Sequence, residues 1–186
     1  MWKPIGKVIA DFELMIKETS WGDGRWARNW QGRQRLESHD LKDSMVGIEG
    51  DKVVDQLSNG NWHWCINCTY KDSITKVHRD YHEDDPVKTY LKELRNTIYE
   101  KAATKEEELQ LVKSWRRLWI PMRDREFGQF FESSSLGLLT DWKAGDVFNL
   151  PAYEYHAGAT VGFNTRYTMI ADGCNTDLKE QFRKLV

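Results

Sequence analysis

Long apolar runs are absent from this chain of 186 residues. None approaches the roughly 20 residues that a membrane span requires, so no membrane partner is expected. An excess of either charge is also missing. Lysine and arginine number 27 against 29 aspartates and glutamates, a formal net charge of −2, whereas nucleic-acid binders usually carry a clear basic excess. Nucleic acid is therefore not an expected partner. Cysteine is scarce: Cys65, Cys68 and Cys174 are too few, and of the wrong parity, for a disulfide framework. The amino-terminal stretch is interrupted by acids and lysines and does not read as a signal peptide, which makes a reducing cytoplasm the expected location. No internal repeat or low-complexity tract occurs. With 40% apolar and 30% charged residues, the composition is that of a globular chain, and its length suits one domain over 1–186. Aromatic residues are abundant. Nine tryptophans, seven phenylalanines and seven tyrosines must fill or line something.

Cys65 and Cys68 form a C-x-x-C, a spacing shared by redox pairs and by half of a zinc site. There is no second such pair, and the two fall mid-strand by pattern rather than at a helix start. They read as strand residues directed to opposite faces. Asn67-Cys68-Thr69 has the form of a glycosylation acceptor, but no secretory signal accompanies it.

Hydrophobic periodicity divides the chain. Ile5, Val8, Ile9, Phe12, Met15 and Ile16 follow helical spacing behind Pro4, which predicts a helix over 5–16 ended by Gly22 and Gly24. Residues 21–34 have no clean period and read as an irregular aromatic-basic segment. There Arg25, Arg28, Arg33 and Arg35 with Trp26 and Trp30 form either a solvated loop or a site for an anionic or stacked substrate. A shorter helix is expected over 51–57, closed by Ser58-Asn59-Gly60. From Asn61 the period becomes two. Trp62, Trp64, Ile66, Cys68 and Tyr70 alternate with His63, Cys65, Asn67 and Thr69 in what reads as a half-buried strand.

A second strand is expected over 74–80. A helical insertion follows at about 86–114, introduced by Pro86 and containing the capping pattern Thr104-x-x-Glu107. Six more strands are predicted near 115–122, 128–133, 136–142, 146–150, 156–161 and 166–171. Such spacing signals a sandwich or barrel. The expected fold is thus mainly β (α+β), a jelly-roll barrel over about 61–172 behind a helical N-terminal layer over about 1–60.

Five histidines are present: His39, His63, His78, His82 and His156. His39 and His63 read as structural. His78-Arg79-Asp80 is an H-x-D on a predicted strand, so both side chains share a face. His156 begins a later strand, and Arg166-Tyr167-Thr168 follows ten residues on. Two histidines and one carboxylate make a facial triad for Fe(II) that leaves coordination positions open. An arginine and a hydroxyl nearby suit a dicarboxylate, the arginine forking onto one carboxylate. A second H-x-D, His82-Glu83-Asp84, follows immediately. The first is preferred because Ile74 to Val77 supplies a β run leading into it.

In this order, the chain resembles the Fe(II)/2-oxoglutarate-dependent dioxygenases. The residues concerned are His78-x-Asp80, Gly128-Gln129-Phe130-Phe131, Trp142-Lys-Ala-Gly145-Asp146-Val147, His156 with Gly158 and Gly162, and Arg166-x-Thr168, across about 62–172. The resemblance implies a double-stranded β-helix (cupin-like) fold, iron held by His78, Asp80 and His156, and 2-oxoglutarate held by Arg166 and Thr168. It implies oxidation of a small-molecule or peptide substrate, by default hydroxylation, with release of succinate and carbon dioxide. Retention of a carboxylate ligand at Asp80 speaks against halogenation. Aromatic walls would keep such a site dry. Two rivals are a cupin-like metalloenzyme that does not use 2-oxoglutarate and a non-catalytic jelly-roll binding module.

Overall fold

The computed structural model describes residues 2–19, 33–60, 62–78, 104, 106–107, 110, 114–150 and 154–184. Ten strands and three α-helices occur among them. In chain order these are β1 (Gly6–Lys7), α1 (Phe12–Glu18), β2 (Arg33–Glu37), α2 (Met45–Leu57), β3 (His63–Thr69), β4 (Ser73–His78), β5 (Trp115–Pro121), β6 (Gln129–Ser133), β7 (Gly137–Leu139), β8 (Asp146–Leu150), β9 (His156–Thr160), β10 (Arg166–Cys174) and α3 (Glu180–Arg183). A six-stranded sheet, ordered β1-β8-β5-β10-β3-β2, accompanies a four-stranded sheet ordered β4-β9-β6-β7. Every pairing is antiparallel. This is a double-stranded β-helix, or jelly roll.

Two cores result from the alternation of side chains along the strands. On the outer face of the large sheet, Trp64, Ile66, Leu118, Ile120 and Met169 cluster with Met15, Val53 and Leu57 of α1 and α2. On the inner face, Trp119, Phe148 and Ile170 cluster with Phe131 and Trp142. Trp2 closes this second core, its ring 5.7 Å from Phe131 and its Nε1 donating to the Gly137 carbonyl at 2.6 Å. Part of the aromatic surplus is thereby placed. Trp64 belongs to the helix-covered core and Trp2, Trp119 and Trp142 to the one between the sheets. Among the described residues no helix is long and apolar enough to cross a membrane.

Five local expectations are corrected. The helix expected over 5–16 begins only at Phe12, capped by Asp11, whose side chain accepts from the Leu14 amide at 2.9 Å. Upstream, the Ile5 and Val8 amides bond to the carbonyls of Val147 and Gly145, because the open edge of β8 satisfies more backbone there than a lengthened helix would. That helix also ends at Glu18, not at the glycines. The helix expected over 51–57 starts at Met45, with Ser44 as its cap. Gly47 and Gly50 hid its first turns. Gly50 is required by packing, since a Cβ there would lie 2.3 Å from the Trp64 ring.

Arg33–Glu37, expected to be irregular or unassigned, is strand β2, paired along β3. It lacks an apolar alternation because its inward positions face a polar interior. For the same reason β3 is buried on both faces, not half-buried. Finally, Trp142 lies in the loop after β7, which ends at Leu139. Most of the expected insertion at 86–114 lies outside the described residues, although the Glu107 amide does bond to Thr104 Oγ1 at 3.2 Å.

Cys65 and Cys68 are both fully buried, on the inner and outer faces of β3 respectively. Burial pushes the Cys65 thiol up to about 12, so it stays protonated and is neither a ready nucleophile nor a metal thiolate. Asn67 is only 3% exposed, which closes the glycosylation acceptor to modification.

Candidate active site

The four-stranded sheet brings His78 and His156 together. They are opposite one another in the β4–β9 register, with ring centroids 4.4 Å apart. A bulge makes this possible. Thr75 opposes Gly158 and His78 opposes His156, so β4 spends three steps where β9 spends two. Strict alternation from the buried Thr75 would turn Val77 inward and His78 outward. The extra residue instead leaves Val77 71% exposed and turns His78 into the cavity.

Both imidazoles are oriented the same way. His78 Nδ1 lies 2.7 Å from the Lys76 carbonyl, and His156 Nδ1 lies 3.0 Å from the Glu154 carbonyl. A carbonyl only accepts, so each Nδ1 carries the proton and each Nε2 the lone pair, the tautomer a metal ligand needs. His156 is further held by Phe131, whose ring stacks on it at 5.6 Å.

Arg166 and Thr168 enter from the large sheet. Both are buried, at 6% and 3% exposure, and both line the same cavity as the two histidines. Arg166 Nη1 donates to the Phe130 carbonyl at 2.8 Å. Gly158 provides its seat: a Cβ at this position would stand 3.0 Å from Arg166 Nη2 and 3.2 Å from the Phe131 ring. Gly158 is two residues along β9 from His156, about 6.6 Å at strand rise. The guanidinium is thus roughly one side-chain repeat from the imidazole pair.

Together these residues line an open-mouthed cavity of about 40 Å³. Trp119, Phe131, Leu150 and Ile170 form its apolar wall. Asp80, expected to complete the ligand set, lies outside the described residues, as do His82 and Asp84. Among the described residues no group of three His, Cys, Asp or Glu side chains is gathered to hold a metal ion. His39 sits away from this cavity, Nε2 3.5 Å from Asp40. His63 Nε2 lies 3.1 Å from Glu37 Oε2.

Among the cavity residues, Asn67 and Arg117 were not picked out in the sequence, and Arg35 only within an aromatic-basic segment that read as a solvated loop or a site for an anionic or stacked substrate. Arg117 is paired with Asp172 through Nε at 2.8 Å and Nη2 at 3.4 Å, both residues buried. Arg35 is braced by Glu37, to which it donates from Nε and, at 3.3 Å, from Nη2. Burial would raise the Glu37 pKa. The hydrogen bond from His63 and the charge of Arg35 outweigh it and lower the carboxyl from 4.5 to about 2. The one available signal was Arg117 itself, a charge set against the apolar run Leu118-Trp119-Ile120.

No family model matches this sequence, and no curated protein is significantly similar to it. Similarity is found among solved structures. AviO1 from Streptomyces viridochromogenes Tue57 superposes with a TM-score of 0.52 at 12% identity, over 93% of this chain and 89% of that one. The non-heme alpha-ketoglutarate-dependent epimerase SnoN from nogalamycin biosynthesis gives 0.42 at 11% identity, over 76% of this chain and 60% of that one. The nickel complex of the non-heme monooxygenase ThoJ gives 0.41 at 12% identity, over 69% and 53%. The chain therefore spans little more than half of the last two. At such identities the likeness is one of fold.

Proposed function

We propose that this protein is an Fe(II)- and 2-oxoglutarate-dependent oxygenase. The observation that carries the reading is the facing pair His78 and His156, with Nδ1 of each tied to a carbonyl, in one cavity with buried Arg166 and Thr168. The donors suit the ion. Two neutral imidazole nitrogens and a carboxylate form the facial set of non-haem iron oxygenases, and the H-x-D spacing makes Asp80 the third donor. When bound there, iron would supply the activation of dioxygen, the oxidant, with 2-oxoglutarate as the two-electron reductant that is oxidised to succinate and carbon dioxide.

The chain's own residues do the rest. The bulge in β4 and the two carbonyl contacts fix the imidazoles, so little reorganisation accompanies metal binding. Arg166 receives the distal carboxylate of the cosubstrate, and Thr168 adds a hydrogen bond to it. Gly158 leaves room for the guanidinium between β9 and β10. Trp119, Phe131 and Ile170 keep water from the reacting centre.

The test is conversion of 2-oxoglutarate to succinate by purified protein supplied with Fe(II) and air. The native chain is expected to require both, and His78→Ala or Asp80→Ala to abolish conversion. His82→Ala is expected to retain most of it. The reverse pattern would move the ligands to His82 and Asp84. Metal-dependent turnover indifferent to 2-oxoglutarate would favour the cupin-like alternative, and negligible metal affinity the non-catalytic module.

A further inference from the structure

The cavity presents more guanidinium groups than a metal and one cosubstrate explain. Three guanidiniums line it, those of Arg35, Arg117 and Arg166, and among its described lining residues there is no aspartate or glutamate. Arg166 is absorbed by the reading above. We propose that Arg35 and its cross-strand neighbour Asn67, with Arg117 further along the same wall, form a second oxyanion subsite, so that the substrate is a small carboxylate on an apolar body. This rests on the proposed function for its chemistry, though not for its binding.

The strand register builds the subsite. Arg35 of β2 stands opposite Asn67 of β3, and Asn67 stands opposite Thr168 of β10. One side-chain repeat further along, Glu37 opposes Cys65, and one repeat beyond that, Asp172 lies between His63 and Arg117. The inner face thus carries a row reading Arg35, Glu37, His63, Asp172, Arg117 across four strands. Within it, the carboxylates stand behind the cations. Glu37 and Asp172 do not line the cavity, whereas the arginines they hold do.

Each pair is neutral as a whole, but it is oriented. A ligand in the cavity meets the guanidinium first and the carboxylate second. Glu37, with its carboxyl lowered to about 2, stays ionised and keeps this orientation at any ordinary pH. Two-contact bracing also removes the rotamer freedom that a long side chain would otherwise lose on binding. The rest of the wall is Trp119, Phe131, Leu150 and Ile170, which fits an apolar body and offers nothing to an amine. An ammonium substrate would face three arginines and the metal. A carboxylate would instead gain charge-assisted hydrogen bonds.

Benzoate and its neutral isostere benzamide are suitable probes, titrated by ligand-observed NMR into anaerobic protein loaded with Mn(II) and 2-oxoglutarate. Benzoate is expected to bind at least about 10-fold more tightly than benzamide. Arg35→Met should weaken benzoate about 10-fold while shifting the 2-oxoglutarate constant far less, and Arg166→Met should do the opposite. Arg35→Lys, which keeps the charge and loses the fork, should fall between. Equal affinity for the two probes, or benzoate binding unmoved by Arg35→Met, Arg35→Lys and Asn67→Leu in protein with native circular dichroism, overturns the proposal. Should 2-oxoglutarate fail to bind while benzoate still depends on Arg35, the subsite stands and the oxygenase reading falls.

Discussion

The two faces of β3 differ more than any two separate parts of the molecule. Outward, Trp64 and Ile66 pack beneath α1 and α2 in a wholly apolar core. Inward, over the same seven residues, Asn67 and Thr69 line a cavity walled by arginine, histidine and threonine. Side chains one position apart thus pack an apolar core on one side and line a polar cavity on the other, and the period of two keeps them separate. The sheet can hold buried polar groups on its inner face because its outer face and the helices above it carry the hydrophobic burial.

That division sets what each substitution should do. Trp64→Ala removes a 1%-exposed ring and its Nε1 bond to Asp51 at 2.8 Å. It should lower stability by about 3–5 kcal/mol, measured by urea denaturation. Metal affinity of the folded fraction should be unchanged. His156→Ala is the inward counterpart. It should reduce metal-dependent succinate formation at least about 100-fold and move the thermal midpoint little, since the imidazole contributes orientation more than burial.

Glu37→Gln tests the row behind the arginines. The carboxyl is depressed from 4.5 to about 2 in the fold. Its stabilisation is therefore present above pH 4.5 and is lost as pH falls from there towards 2. The native chain should lose up to about 3 kcal/mol over that window on this account. The glutamine variant should be less stable at neutral pH and show a flatter acid limb in pH-dependent unfolding. Gly158→Ala is a smaller intrusion, pressing on Arg166 and Phe131 together. It should raise the 2-oxoglutarate requirement about 10-fold with near-native stability, read as a change in KM with kcat retained. Smallest of all, Cys65→Ser and Cys68→Ala should leave metal binding unaltered, as measured by Mn(II) titration.

The barrel was legible in the sequence because each strand from β3 to β10 carries alternation and is bounded by turn residues. Asp72 and Gly145 sit at positive φ in the turns that lead into β4 and β8. The helical layer was read less well. Gly47 and Gly50 in α2 are helix-weakening residues whose purpose, contact with Leu41 and Trp64, is tertiary. Residues 5–8 obey a helical period yet join a sheet edge, since their apolar positions can be buried in either form. Of the proposed site, His78, His156, Arg166 and Thr168, which line one cavity, were picked out by type, order and spacing. The bulge that turns His78 inward was not, because nothing in Lys76-Val77 distinguishes a bulge from regular strand. Arg35 was noted only within the aromatic-basic segment, because the polar inward face of β2 hides its strand alternation, and Arg117 was passed over because it carries no motif.

The most direct measurement is a crystal structure of the chain grown anaerobically with Mn(II) and 2-oxoglutarate. The account predicts the ion on Nε2 of His78 and His156 and on the Asp80 carboxylate, with the far carboxylate of 2-oxoglutarate on Arg166. An ion bound away from the His78–His156 pair, or 2-oxoglutarate that leaves Arg166 untouched, would contradict it.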